Sequence, residues 1–516
     1  MAPARTWAVA LTGLAGDLVE VEADLSNQTP DFHVIGMPDK AIGEARKRVH
    51  NACANSELPL PRRCVTVSLS PAALPKHGSG FDVAIAIAAL ATSYEADAAS
   101  LQRTAHVGEL GLDGRLRPVP GVLPAVVAAA RAGVARVVVP FANRAEAALV
   151  RDVDVVGAAS LRDVARLHGM EVPDGADEPV PLLAQTAPAT GETRLDLADV
   201  VGQRDAVDAL VVAAAGGHHL LMSGPPGAGK TMLARRLPGI LPGLDDAAAL
   251  QVASIRSLAG ASVADLPREP PFEAPHHSAS VAALVGGGSR VVRPGAIARA
   301  SGGVLFLDEA GEFSAHALDS LRQPLESGSI EIHRAGFRAV FPARFQLVLA
   351  TNPCPCGNYG VPGAECVCPS IAIRRHLGRL SGPLRDRIDI ELSLQRVATA
   401  HHPPGTAAGT TTREARERVR AARARAAERL TDTPWRTNAE VAGTWLRTGP
   451  VAPAPAVRRP LDAALARGSL TLRGYDRVLR VAKILLSRIS VMSEVGGMLA
   501  ACLVNLSTPT RRLMCA

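Results

Sequence analysis

Aromatic residues make up only 3% of this 516-residue chain. Few side chains can therefore serve as platforms for base stacking, and any nucleic-acid contact would rest on arginine. Lysine is scarce too, found only at Lys40, Lys47, Lys76, Lys230 and Lys483. No stretch offers the roughly 18 uncharged apolar residues of a membrane-spanning helix, and Arg488 and Glu494 interrupt the apolar C-terminal region. The early apolar run at 7–15 passes straight into Asp17, Glu20 and Glu22. No secretory leader is expected, and the expected location is cytoplasmic. A strong charge of either sign is missing as well. The 56 basic and 49 acidic residues leave +7, which permits a polyanionic partner without arguing for one.

What is present is globular. Apolar content of 47% beside 20% charged residues argues against disorder, and the length suits roughly three domains with ample core. Residues 1–172 alternate strand-like runs (65–69, 135–139) with helical runs (81–91, 124–132). Residues 173–195, polar and without periodicity, read as a linker. A second block covers 196–397, and the last covers 398–516. That last block begins with a further linker around His401-His402-Pro403-Pro404. An Arg/Ala-rich helical run at 412–430 follows, either a basic DNA-facing helix or a solvated amphipathic one.

The most informative segment is Gly224-Pro225-Pro226-Gly227-Ala228-Gly229-Lys230-Thr231, which fits the phosphate-binding P-loop. Its glycines let backbone N–H groups turn inward around phosphates, Lys230 reaches the β- and γ-phosphates, and the Thr231 hydroxyl ligates Mg²⁺. A short apolar strand at 219–223 precedes it and a helix follows, placing a helix N-terminus at the anion. The chain is expected to bind ATP with Mg²⁺. Residues 303–307 form an apolar strand running into Asp308 and Glu309, the form of a Walker B element. Asp308 would hold Mg²⁺ and Glu309 would polarise the attacking water. A third strand at 345–351 ends at Asn352, which is placed to orient that water. Arg385 and Arg387, without an obvious intrachain partner, are ordinary surface arginines or ones that reach a neighbouring subunit's phosphate.

The order of these elements, together with Glu273-Ala274-Pro275-His276-His277-Ser278-Ala279-Ser280, Gly286-Gly287-Gly288 and Asn352-Pro353-Cys354-Pro355-Cys356-Gly357, resembles the magnesium-chelatase-like AAA+ ATPases of the ComM/YifB branch. The likeness runs from about Thr6 to about Ala482. It implies an α/β fold: a P-loop AAA+ core with a doubly wound parallel sheet and a helical lid. An α+β Lon-protease-like domain of the ribosomal S5 domain 2 type would precede it. It also implies homo-hexameric rings. It assigns Asn352 the first sensor, Arg387 the trans-acting finger and Arg473 the second sensor, with Arg477 and Arg480 as near neighbours. The insert at 276–293 and a hairpin at 330–338 resemble pore-facing elements of such rings. There Arg334 and Arg338 either grip phosphates or are simply exposed on a structural hairpin.

Cys354, Cys356, Cys366 and Cys368 form C-x-C-x9-C-x-C. Four thiolates suit tetrahedral, structural Zn²⁺ and leave no open position for catalysis; four reduced thiols are the alternative. In the N-terminal block, Lys76-His77-Gly78-Ser79 lies where Lon-type enzymes carry their nucleophile. The position resembling the Lon catalytic lysine is Leu123, which cannot act as a base. No peptidase activity is expected, and the block would be a scaffold or a DNA contact.

Three functions compete. One is an ATP-hydrolysing ring motor on branched or single-stranded DNA, performing branch migration or helicase action on recombination intermediates beside other recombination proteins. The others are a magnesium-chelatase-type ATPase subunit and an ATP-dependent protease or chaperone. The resemblance favours the motor. From about residue 483 the tail departs from the family pattern, as an altered reading frame would make it.

Overall fold

The structure is a computed structural model. It describes residues 3–36, 39–76, 78–182, 195–288, 292–334, 337–361, 363–397, 409–450 and 452–486. Most of the second linker, the tail beyond 486 and His77 lie outside these residues, as does 183–194 of the first linker.

Two sheets organise the chain. The first has seven strands in the order Asp31–Ile35, Cys64–Ser70, Ala15–Ser26, Ala4–Thr12, Thr104–His106, Arg136–Pro140, Asp154–Ala158. Pairing is antiparallel along the hairpin of the two longest strands and parallel from Ala4–Thr12 outward to Asp154–Ala158. The helix Asp82–Leu90 is buried at all nine positions, which explains its near absence of polar side chains. Its one charged group, Asp82, pairs with Arg48 at 2.6 Å.

The second sheet runs Phe272–Glu273, Val304–Leu307, Gln346–Thr351, Leu220–Ser223, Ile390–Ser393, and every neighbouring pair is parallel. Val304–Leu307 and Gln346–Thr351 are buried at every position. Strands covered on both faces lose the apolar/polar alternation of a half-exposed sheet, so these segments read as continuous apolar runs. This is the mixed α/β architecture expected of a P-loop AAA+ protein.

The helix Thr412–Arg429 buries one face of its Arg/Ala-rich sequence. A capping box between Thr411 and Glu414 starts it. Ala415, Val419, Ala422 and Ala426 are buried against the helices Arg204–Gly216 and Lys230–Ile240. Arg416 donates to Gly239 O and Arg423 to Ala214 O, so these guanidinium groups tie the helix to the two helices it packs against. The helix Leu472–Leu486 continues past Ala482, so regular structure does not stop at residue 483.

The N-terminal block docks directly on the second. The helix Val122–Arg131 packs along Asp246–Leu258. Gly121 N donates to Ser257 O at 3.1 Å and Leu123 N to Ser257 Oγ at 3.4 Å. At a second contact, Gly13 bridges to Val340 in the hairpin formed by Ser329–Arg334 and Phe337–Pro342. Gly13 has φ +68, and a Cβ there would lie 2.7 Å from Val340 O. Glycine is required both for the turn and for the approach.

Candidate nucleotide site

Sheet register brings the site together. Ser223 is paired with Thr351, and Leu307 with Leu349. The residues that follow these strands, Gly224, Asp308 and Asn352, therefore emerge side by side at one edge, where open α/β sheets bind ligands. The P-loop occupies residues 224–229, with Gly227 and Gly229 at φ +78 and +84, and the next helix starts at Lys230. Lys230 and Thr231 thus lie in the first helical turn, a little earlier than sequence reasoning placed the helix.

The Lys230 ammonium donates to Gly224 O at 2.6 Å, Pro225 O at 3.1 Å and Asn352 Oδ1 at 2.9 Å. Burial lowers its pKa, while Asp308 and Glu309 pull it back up. Thr231 Oγ1 donates to Asp308 Oδ2 at 2.7 Å. This hydroxyl–carboxylate pair beside the phosphate loop fits the oxygen donors that Mg²⁺ takes in P-loop sites. Glu309 has left-handed backbone angles, φ 50 and ψ 46, which cost a non-glycine residue on the order of 1–3 kcal/mol. Its Oε2 lies 3.2 Å from His277 Nδ1. His277 belongs to the motif at 273–280, and its contact with Glu309 is one that no sequence spacing encodes.

Asn352 is held on its other side, where His376 Nε2 lies 3.0 Å from its carbonyl oxygen. The four cysteines follow immediately. Their sulfurs all lie within 4.8 Å of one another, with Sγ–Sγ distances of 3.4 Å for Cys354–Cys356 and 3.7 Å for Cys354–Cys366 and Cys356–Cys366. A Zn–S bond of about 2.3 Å sets a tetrahedral edge of about 3.8 Å, so the four sulfurs fit one zinc ion. The Asn358 backbone N–H, and then the Cys354 thiol, draw Cys356 down to about 6. The same crowding of sulfurs raises Cys366, to about 12, and Cys368, so without a cation the negative charge settles on Cys356.

The arginines correct one expectation. Arg385 and Arg387 do have intrachain partners, Glu391 at 3.0 Å and Glu326 respectively. Arg387 also sits near Arg322 and Arg473; burial first, then these two charges, lower its pKa. Arg473 is 75% exposed and pairs with Asp386 at 2.8 Å, so the structure groups it with Arg387. Arg477 donates to Ile388 O and Arg480 to Val441 O, which leaves Arg473 as the outward-facing member of the three. In the hairpin, Arg338 pairs with Glu331, whereas the Arg334 side chain lies outside the described residues.

Among the described residues of the N-terminal block, Ser79 is not paired with a lysine. Its hydroxyl donates to Glu109, and the buried Lys76 points its ammonium at Pro71 O and Leu74 O. Leu123 is fully buried, in the helix that docks on the second block.

Three family models match: "Magnesium chelatase, subunit ChlI" at 196–402, "Subunit ChlI of Mg-chelatase" at 21–143 and "Magnesium chelatase, subunit ChlI C-terminal" at 409–485. An uncharacterized protein of Mycobacterium tuberculosis is 49% identical over 485 residues, spanning 93% of this chain and 94% of the relative. The competence protein ComM of Haemophilus influenzae is 44% identical over 421 residues, 81% of this chain and 82% of its own. The uncharacterized protein YifB of Escherichia coli is 38% identical over 494 residues, 92% and 91% of the two chains. With a P-loop sequence, an acidic strand end and Asn352 side by side at one sheet edge, and relatives matching over most of its length, the chain belongs to the ComM/YifB family of magnesium-chelatase-like AAA+ ATPases.

Proposed function

We propose that the protein is an ATP-driven ring motor acting on branched or single-stranded DNA, moving branch points or unwinding recombination intermediates in the cytoplasm. The observation that carries the ATPase half is the meeting of Lys230 with Asn352 and of Thr231 with Asp308 at the ends of three adjacent strands. On this reading the backbone N–H groups of 224–229 and Lys230 hold the phosphates, Asn352 orients the attacking water, and Glu309 takes its proton. Mg²⁺, held by Thr231 and Asp308, would neutralise charge on the phosphates.

The DNA half is supported by the name of the Haemophilus influenzae relative, a competence protein. Assembly as a homo-hexamer is part of this reading, with Arg387 and Arg473, which lie together beside Arg322, exchanging their intrachain partners Glu326 and Asp386 for a neighbour. A neighbouring subunit's triphosphate would be the anion those arginines turn to. The four-thiol loop would take one structural Zn²⁺, and recombination proteins would work beside the ring. No helix of the described residues is long and apolar enough to cross a membrane.

The deciding experiment measures ATP hydrolysis with and without branched DNA, together with three-strand and four-way branch migration, for wild type and Glu309→Gln. Stimulation by DNA and strand exchange, both lost in Glu309→Gln, are expected. No DNA binding at low salt and no stimulation would defeat the motor reading while leaving the ATPase intact.

A further inference from the structure

The cysteine loop lies against the nucleotide site. Gly357, at φ +81, sits so close to the P-loop that a Cβ on it would lie 2.4 Å from Pro226 Cδ. The loop leaves the sensor strand two residues after Asn352, and two residues beyond Cys368 the chain enters the helix Ser370–Leu377. His376 of that helix returns to the Asn352 carbonyl oxygen. Residues 352–376 therefore form a closed circuit that begins and ends at the sensor. Within it, Cys356 N donates to Cys368 Sγ at 3.4 Å and Tyr359 N to Cys354 Sγ at 3.3 Å.

We infer that the four thiolates hold a zinc ion whose role is to brace the nucleotide site: it fixes Gly357 against Pro226 and anchors Asn352 opposite Lys230. This rests on reading residues 224–231 as an ATP site and the thiol loop as a zinc site. A loop of this length, rich in glycine and polar groups, buries little apolar surface by itself. Four metal–sulfur bonds supply the rigidity that packing does not. Once rigid, the loop forms one wall of the P-loop and sets the position of the Lys230–Asn352 pair. Removing the metal frees Pro226 and Asn352 together, and the site loses pre-organisation for phosphate.

The test uses the full chain purified in reductant without chelator. Elemental analysis should find one zinc per chain, lost in Cys366→Ser/Cys368→Ser. Binding of a fluorescent N-methylanthraniloyl ATP should weaken at least tenfold in that variant. A second variant keeps the inference falsifiable if the first fails to fold. Gly357→Ala should retain zinc yet also bind the fluorescent nucleotide at least tenfold more weakly, because its methyl group meets the Pro226 ring. Absence of stoichiometric zinc defeats the metal reading. Stoichiometric zinc with unchanged nucleotide affinity in Gly357→Ala leaves the metal in place and overturns the brace.

Discussion

Lys230 Nζ and Asn352 Oδ1 lie 2.9 Å apart, which ties the phosphate loop to the end of the neighbouring strand through one charge-assisted hydrogen bond. The two residues should nevertheless fail differently. Lys230→Ala removes the cation that faces the phosphates, so nucleotide binding and turnover should both be lost. Asn352→Ala leaves the loop, its cation and the Gly357 wall against Pro226 in place, so nucleotide affinity should change less than about threefold. Loss of one pre-organised polar group at the reacting centre should lower kcat about a hundredfold. Titration with a fluorescent nucleotide alongside steady-state kinetics separates the two outcomes.

His277 sets up a second test. Its Nδ1 is 3.2 Å from Glu309 Oε2, and Glu309 occupies left-handed backbone space, so the carboxylate is aimed by a side chain from another segment. His277→Ala should lower kcat about tenfold, which is about 1.4 kcal/mol of transition-state stabilisation. Nucleotide affinity should be unchanged, and His277→Asn, which keeps a donor, should recover part of the rate. Equal losses in kcat and in binding would show that His277 supports the loop and does not aim the carboxylate.

These two residues mark how far the sequence was legible. Residues 224–231, Asp308-Glu309 and the four cysteines could be read because each motif is contiguous or nearly so and its chemistry depends on residue type. The buried strands at 304–307 and 346–351 could be read because burial on both faces leaves unbroken apolar runs. His277 against Glu309, Glu326 against Arg387 and Gly357 against Pro226 are contacts made by the fold between separate segments, and no local spacing encodes them. Glu326 is the clearest case. It lies on the helix Arg322–Ser327, far along the chain from Arg387, so the arginine read as lacking a partner. Leu123 is readable as the residue at the position resembling the Lon lysine but not as an interface residue, because Ser257 meets it from the other block.

Arg387 invites a subunit-mixing experiment. Its pairing with Glu326 offers a purely intrachain reading, in which Arg387→Ala costs stability but each subunit's turnover depends on its own residues alone. In the trans reading, Arg387→Ala assemblies hydrolyse ATP at least a hundredfold more slowly, yet mixing them with Glu309→Gln subunits restores part of the activity. In a mixed ring, an intact Glu309 can face an intact Arg387 from a neighbour. No recovery on mixing, with both variants assembling normally, would favour the intrachain role.

Leu123 should resist conversion into a protease lysine. It is fully buried, and its backbone N–H donates to Ser257 Oγ at 3.4 Å, while Ser79 is bonded to Glu109 instead of facing this helix. Leu123→Lys forces a long ammonium side chain into a packed seam where the buried Glu146 is the nearby carboxylate, and the overpacking and burial of charge should cost on the order of 1–3 kcal/mol. The expected result is a lower melting temperature and weaker docking of residues 1–172, seen as faster proteolysis in the 173–195 segment, with no hydrolysis of an unfolded protein substrate. Peptidase activity lost again on Ser79→Ala would contradict this placement of the block.

The buried histidine pair of the first sheet gives a pH prediction with a definite sign. His106 Nε2 and His168 Nε2 lie 2.9 Å apart, with Thr6 and Ser100 on their outer nitrogens. Burial lowers both pKa values, His168 to about 4 and His106 well below the ordinary value. In the unfolded chain both titrate near about 6.5. Between about pH 6.5 and 4 the unfolded state therefore binds more protons than the folded one, and stability falls as pH falls through that window. Above it the pair adds no pH dependence. Hydrogen exchange at Thr104–His106 should accelerate from pH 7 to pH 5 once corrected for the intrinsic rate. The acceleration should shrink in His106→Gln/His168→Gln. An undiminished acceleration in that variant would assign the effect to other groups, His219 among them, since burial also lowers its pKa to about 4.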